Sequence, residues 1–313
     1  NVLNIKTLGV FELNYNDNTL LNYANRANKI MDLLKYFITN RGKKILPEMI
    51  LEQLMPEDEL TNPNNVLRSQ IFRLRRFLEE SFGKEAAEQY LKVTFLGRYY
   101  VFSIGPKTIL DVDAFEEKIQ EAKRLRSCDR QNAMQLYKEA VLLYEGEYLK
   151  EDADKEWLLS SRNHYSRLFI HALFFLIEML KEEGNYAAIM EICEEATKIE
   201  PDEEAIHIYF IEALCKLGYK KHALSHYEYV INHLAKELGV KQSEALEQIY
   251  DKIITNQKDE DFIKPFHSQD QTVWEFNDSK GPGYSNDIND ANQELCKPLM
   301  CSKENFMALF DLS

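Results

Sequence analysis

The feature that most constrains this chain is an amphipathic helical pattern between Asn62 and Leu78 that carries four arginines. At about 100° per residue, its apolar positions fall on one narrow face, and the arginines share a broad arc that begins beside that face. The apolar residues are Leu67, Ile71, Leu74 and Leu78, and the arc holds Arg75, Arg68, Phe72, Asn65, Arg76, Ser69 and Arg73. Such a helix can pack against a core and contact phosphate groups at the same time.

The length and the distribution of charge indicate two folded domains followed by a tail. A chain of 313 residues exceeds what one compact core usually holds. Residues 1–105 carry 14 Lys/Arg against 12 Asp/Glu, a net of +2, so a whole-chain charge of −14 leaves −16 for the remainder. Only the first segment is therefore electrostatically suited to approach a polyanion.

Cysteine usage and hydropathy indicate the compartment. The five cysteines are odd in number and scattered, which suits a reducing cytosol better than a disulfide framework. The most apolar run, 172–177, is too short to span a membrane. We therefore expect a cytoplasmic protein that makes no contact with a membrane.

Patterns typical of catalysis or of bound metal are weak. His222 and His226 are spaced i, i+4 and could hold a metal, but no acidic third ligand accompanies them as in the zinc-protease motif. The sequence contains no glycine-rich phosphate loop and no nucleophile elbow. We expect neither enzyme activity nor a metal or cofactor.

The first hundred residues predict a winged helix-turn-helix. Residues 2–24 alternate and turn like the strands of a small antiparallel sheet. Helices are predicted from Asn28 to about Arg41, from Pro47 to near Pro56, and from Pro63 to Phe82. Residues 91–102 then alternate like a hairpin that turns at Gly97-Arg98.

After Pro106 the sequence is almost continuously helical in pattern. The predicted helices are Phe115–Leu125, Ala133–Tyr144, Trp157–Leu180, Tyr186–Ile199, Ala205–Leu217, Lys221–Leu238 and Ser243–Ile254. Gly184 and Gly218 are 34 residues apart, the tetratricopeptide period, and Pro201 lies between them where that repeat usually places proline. Stacked helical hairpins of this kind form a groove suited to a peptide or another protein.

The predicted fold class is therefore mainly α with a small antiparallel β component. It combines a winged helix-turn-helix at 1–105 with a tetratricopeptide-like α-helical repeat domain at 106–257. Residues 258–313 are expected to form a polar linker and a terminal segment.

Two ordered blocks carry a family resemblance that covers about residues 3–255. Arg73-Leu74-Arg75-Arg76 and Gly97-Arg98-Tyr99-Tyr100-Val101-Phe102 resemble the winged-helix output domain of response regulators. Motifs at 110–115, 144–149, 156–157 and 235–240 resemble the bacterial transcriptional activator domain of SARP-type regulators, the Streptomyces antibiotic regulatory protein family. The resemblance implies binding of double-stranded DNA, a homodimer on direct repeats, and contact with RNA polymerase or a regulatory protein.

In such a winged helix the recognition helix enters the major groove. We assign base-edge contacts to Asn65, Arg68, Ser69 and Phe72, phosphate contacts to Arg73, Arg75 and Arg76, and a minor-groove contact to Arg98. The alternatives are that Arg73 or Arg75 pairs with a carboxylate inside the domain, and that Arg98 is a solvated turn residue.

Two further points stay open at this stage. Arg41, Lys43 and Lys44 suit phosphate contacts and equally suit the compensation of a helix C-terminus. Residues 301–312 form an amphipathic segment that faintly resembles the lead-in to a diguanylate cyclase domain, or else a terminal helix that docks on the repeats.

The preferred function is a sequence-specific transcription activator. The alternative is an interaction or sensory module of a signalling protein, for example of diguanylate cyclase type, whose catalytic domain lies outside this chain.

Overall fold

The computed structural model of the chain describes residues 1–16, 18–21, 29–55, 62–84, 86–237, 239 and 243–255. The strands are β1 Leu3–Lys6, β2 Glu12–Tyr15, β3 Asn18–Leu21, β4 Lys44–Ile45, β5 Leu91–Leu96, β6 Tyr99–Ile104 and β7 Thr108–Leu110. The helices are α1 Lys29–Thr39, α2 Pro47–Leu54, α3 Pro63–Phe82, α4 Asp111–Leu125, α5 Arg130–Leu143, α6 Leu159–Glu182, α7 Tyr186–Ile199, α8 Glu204–Lys216, α9 Lys220–Glu237 and α10 Glu244–Thr255. The expected linker and terminal segment, 258–313, lie outside the described residues.

The opening sheet has the strand order β3-β2-β1-β7. The first three strands form the predicted antiparallel meander, and β7 pairs in parallel with β1, with Leu3 opposite Thr108. The sequence pattern did not predict β7. Strand β7 lies beyond the expected domain boundary at residue 105, and it still forms part of the first sheet.

The predicted winged helix is present in the structure. Helix α1 packs against α3, and the β5–β6 hairpin joins β4 in a second sheet of order β4-β6-β5. Helix α3 has the predicted limits, and α2 ends at Leu54. The hairpin closes at Leu96 opposite Tyr99, as its alternating pattern predicted.

Helices α4 to α10 form the predicted repeat-like half, in which α7 packs on α8, α8 on α9 and α9 on α10. Gly184 and Gly218 have φ angles of 69° and 83°, in the left-handed region that glycine adopts readily at a helix end. Several limits differ from prediction: α4 begins at Asp111, α5 begins at Arg130, and Glu156–Leu158 forms a 3₁₀ turn before α6. The predicted fold class is confirmed.

The winged helix and the helical half share a continuous apolar core. The backbone of Thr7–Gly9 meets residues 147–150: the Leu149 amide donates to the Thr7 carbonyl at 2.8 Å, and the Gly9 amide to the Glu147 carbonyl at 3.0 Å. This contact gives the 144–149 motif a structural role.

Ion pairs also join the two halves. Lys35, which is 2% exposed, bonds to Asp152; Arg41 bonds to Asp113; and Lys6 lies 3.0 Å from Glu145. In each pair the cation comes from the first 105 residues and the carboxylate from the acidic remainder. The structure favours the other interpretation of Arg41, compensation of a helix C-terminus, because its guanidinium donates to the Ile38 carbonyl in the last turn of α1 and to Asp113.

Candidate nucleic-acid interface

Local sequence explains where α3 begins and ends. The Asn62 side chain accepts a hydrogen bond from the Asn65 amide at 3.2 Å, which satisfies one of the free donors of the first turn. Pro63 occupies the first turn, where its missing amide hydrogen costs nothing. At the other end Gly83 has a φ of 85°, and its amide donates to the Glu79 carbonyl at 2.9 Å.

The two faces of α3 differ sharply in exposure. Leu67, Ile71, Leu74 and Leu78 are at most 2% exposed and join the core. Gln70 is also buried, which the pattern did not predict. The predicted contact residues on the opposite face are all exposed: Asn65, Arg68, Ser69, Phe72, Arg73, Arg75 and Arg76. Phe72 is 66% exposed.

The arginines of this face differ in their hydrogen bonds and ion pairs. Arg75 Nη2 donates to the Val93 carbonyl of β5 at 2.9 Å, so it bonds to the wing strand and not to a carboxylate. Arg76 Nε donates to Glu80 Oε1 at 2.8 Å across one exposed turn. Arg68 and Arg73 form no hydrogen bond or ion pair with any other residue in the described part of the chain. The free guanidinium groups therefore lie in the N-terminal and central part of the exposed face.

The wing places Arg98 at its tip. Gly97 has a φ of 63°, which lets the chain reverse within two residues. The guanidinium carbon of Arg98 lies 5.2 Å from the Tyr99 ring centroid, and its Nε and Nη2 donate to the Tyr99 hydroxyl at 3.2 and 3.1 Å. This hydrogen bonding raises the pKa of Arg98, so the side chain stays charged.

Sequence reasoning missed the apolar side of the wing. Phe95 and Leu96 are 47% and 56% exposed. Phe95 lies on the same face of β5 as buried Leu91 and Val93, but the hairpin there extends beyond the core. Alternation alone predicts that Phe95 is buried. The turn that begins two residues later, at Gly97, is the signal that could have predicted its exposure.

A cavity of about 650 Å³ separates α3 from β5. Its lining includes Arg75, Lys84 and Lys92. Glu79 and Glu88 line it as well, and Glu88 pairs with Lys92 at 2.8 Å, so the cavity carries charges of both signs.

An exposed, arginine-bearing helix beside a β-hairpin wing is the arrangement of a winged-helix domain. The family model for the C-terminal domain of transcriptional regulatory proteins matches residues 24–95, and the model for the bacterial transcriptional activator domain matches residues 110–254. The chain therefore carries, in order, the two domains that its sequence blocks predicted for a SARP-type transcriptional regulator. Neither match supports the alternative of a signalling interaction module.

A solved structure has the same fold. Mycobacterium tuberculosis EmbR, in complex with a low-affinity phosphopeptide, superposes with a TM-score of 0.63 at 18% sequence identity. The match covers 82% of this chain and 66% of the EmbR chain, less than two thirds of its length. Among curated proteins, no sequence is significantly similar to this chain.

The described residues lack the features of a membrane span and of a metal site. Within the described ranges, no helix is long and apolar enough to cross a bilayer. The same residues contain no group of three or more His, Cys, Asp or Glu arranged to hold a metal ion. His226 instead lies 3.0 Å from the ring of His207.

Proposed function

We propose that this protein activates transcription by binding promoter DNA sequence-specifically through α3. The observation that carries the proposal is the open face of α3, where Arg68 and Arg73 lie on a helix whose other face is locked into the core. We also propose that residues 1–105 act as the DNA-binding module, 106–257 as the activator module and 258–313 as a linker and terminal segment.

The N-terminal half of α3 would supply base recognition. Arg68 can donate to guanine O6 and N7 together, and the ring of Phe72 can pack on a thymine methyl group. Asn65 and Ser69 lie on the same exposed face and can bond to neighbouring base edges. Because these side chains share one face of a rigid helix, they can read adjacent base pairs in a single major groove.

Arg73, Arg75 and Arg76 would contact phosphate. Arg75 can do so with the guanidinium nitrogens that do not bond to Val93. Arg76 would leave Glu80, a change of partner that costs little because both side chains are more than 60% exposed. These contacts fix the position of the helix and carry no sequence information themselves.

The wing would add a contact in the adjacent minor groove. Arg98 stands at the turn, and narrow A·T tracts concentrate negative potential there. Exposed Leu96 beside it can pack on the sugar edges of the same groove.

The helical half would contact RNA polymerase or a regulatory protein, and the protein would bind direct repeats as a homodimer. The net negative charge of the helical half makes this half unsuited to contact DNA. We further propose a cytoplasmic location, where the operator is accessible, and a purely regulatory role without catalytic activity.

Selection of genomic fragments with the purified full chain, followed by footprinting, tests this function. We expect a discrete protected site that the Arg68→Ala variant protects much less strongly. Arg124→Ala is a matched control, since Arg124 is exposed on α4 and pairs only with its neighbour Glu121. Failure to enrich any fragment, or equal protection by both variants, would refute the proposed role of α3.

A further inference from the structure

A second surface lies in the helical half, in a groove between α7, α8 and α9. Its cavity of about 560 Å³ is lined by Glu194, Phe210, Tyr219, His226 and Tyr229, among others. Cavities of this size accommodate small ligands or single side chains of a partner. The groove lies outside the proposed DNA contacts.

Aromatic rings form most of this groove. The rings of Phe210 and His226 meet edge to face, with centroids 4.6 Å apart, and His226 lies 5.7 Å from Tyr229. Tyr219 and Tyr229 are 50% and 52% exposed, so part of each ring is accessible to a ligand, although His233 stacks on Tyr229 with the ring centroids 5.8 Å apart. Exposed aromatic faces attract cations through their quadrupole.

Two histidines in mutual contact, His226 in the lining of the groove and His207 outside that lining, are uncharged. His207 Nε2 lies 2.8 Å from the Pro201 carbonyl, which can only accept, so this nitrogen carries the proton. His207 Nδ1 is then the acceptor for His226 Nε2 at 3.0 Å. Burial lowers the pKa of His207 and lowers that of His226 to about 4. Near pH 7 neither ring repels a cation.

A carboxylate completes the groove. Glu194 is exposed on α7, and its side chain forms no ion pair or hydrogen bond with another described residue. The surrounding residues 186–255 carry 7 Lys against 13 Asp/Glu, a net charge of −6. A cation is therefore favoured locally by Glu194 and regionally by the surrounding acidic surface.

We propose that this groove binds an arginine side chain of a partner protein, stacked on Tyr229 and paired with Glu194. Arginine fits better than lysine because its planar guanidinium stacks on a ring while donating a two-pronged hydrogen bond to a carboxylate. The inference rests on the proposed role of the helical half in contacting a protein partner, and it adds the chemistry of that contact.

Titration of the full chain with a capped peptide, acetyl-Gly-Arg-Gly-Arg-Gly-amide, tests the inference by calorimetry or NMR at low salt. The matched probe replaces each arginine with citrulline, which has nearly the same shape and no charge. The arginine peptide should bind about tenfold more tightly, which corresponds to the upper range of cation–π and paired-charge energies. Equal binding of both peptides, or no binding of either, overturns the proposal.

Two variants locate the contact. Glu194→Gln and Tyr229→Ala should each weaken binding of the arginine peptide about fivefold. Glu191→Gln removes the same charge one turn earlier on α7, at a residue that does not line the groove, and should leave binding unchanged. An unchanged affinity in Glu194→Gln, or an equal loss in Glu191→Gln, contradicts a specific site.

Duplex binding measured on the same samples separates the two proposals. Glu194→Gln should bind DNA as the parent chain does, because the groove shares no residue with α3 or the wing. A chain that binds the arginine peptide but no duplex refutes the DNA function and keeps the groove. A chain that binds the duplex but binds both peptides equally refutes the groove proposal and keeps the DNA function.

Discussion

The cations of the first 105 residues fall into two groups with opposite environments. Lys6, Lys35 and Arg41 pair with carboxylates of the helical half, and Lys35 is almost fully buried. Arg68 and Arg73 lie exposed on α3 without a partner among the described residues. The difference shows that net charge is a poor guide to a DNA-binding surface.

The position of each cation decides its role. A segment with a net charge of only +2 can still present a positive face, because four of its arginines lie on the exposed side of a single helix. The ion pairs to the helical half also fix one orientation of the winged helix on the shared core. We infer that this docking leaves α3 open for DNA.

The largest expected effect comes from breaking the buried pair. Asp152→Ala leaves the Lys35 ammonium buried without a partner, so the free energy of unfolding should fall by about 3–5 kcal/mol. Urea unfolding of the full chain measures the loss. Asp154→Ala is the control, since Asp154 is 79% exposed and should change stability by less than about 0.5 kcal/mol. Equal, small effects would mean that Lys35 finds another partner or reaches water.

Removing a free arginine should leave stability intact and weaken DNA binding. Arg68→Ala should cost about 1–3 kcal/mol of duplex affinity and relax specificity at one base pair, because a bidentate contact to guanine is lost. Fluorescence anisotropy with the selected operator and its single-base variants measures both effects. A uniform loss across all sequences would instead identify Arg68 as a phosphate contact.

Arg73 and Arg75 distinguish a free cation from a tethered one. Each change to alanine should lower the slope of log affinity against log salt by about one, since one phosphate contact is lost. Only Arg75→Ala should also reduce stability, by about 1 kcal/mol, because it removes the bond to the Val93 carbonyl. If Arg75→Ala lowers stability while the slope stays constant, Arg75 serves only to hold the wing.

The smallest effect concerns the exposed pair on α3. Glu80→Gln should change stability by less than about 0.5 kcal/mol, because pairs this exposed contribute little. It should slightly strengthen duplex binding, since it releases Arg76 and removes a negative charge near the phosphates. Weaker duplex binding in this variant would show that Glu80 orients Arg76 productively.

Much of the fold could be predicted because its signals are local. The limits of α3 follow from Asn62, Pro63 and Gly83, and the wing follows from strand alternation on both sides of Gly97. The parallel pairing of β7 with β1 joins residues about a hundred positions apart, and no local pattern encodes that pairing. Such contacts depend on the whole core.

The sequence predicted which residues of the candidate site are exposed, but it did not predict their hydrogen-bond partners. Helical periodicity correctly placed Arg68, Arg73 and Phe72 on the exposed face of α3. Periodicity could not show that Arg75 bonds to the Val93 carbonyl or that Lys35 bonds to Asp152. These partners lie 18 and 117 residues away along the chain. Whether the exposed residues contact DNA stays a prediction.

The central claim is that the exposed face of α3 seats in a duplex, and the salt dependence of duplex affinity for the full chain tests it most directly. Three phosphate contacts predict a slope of log affinity against log salt of about −2.7, reduced in Arg73→Ala. A slope near zero, or an identical slope in that variant, would contradict the claim.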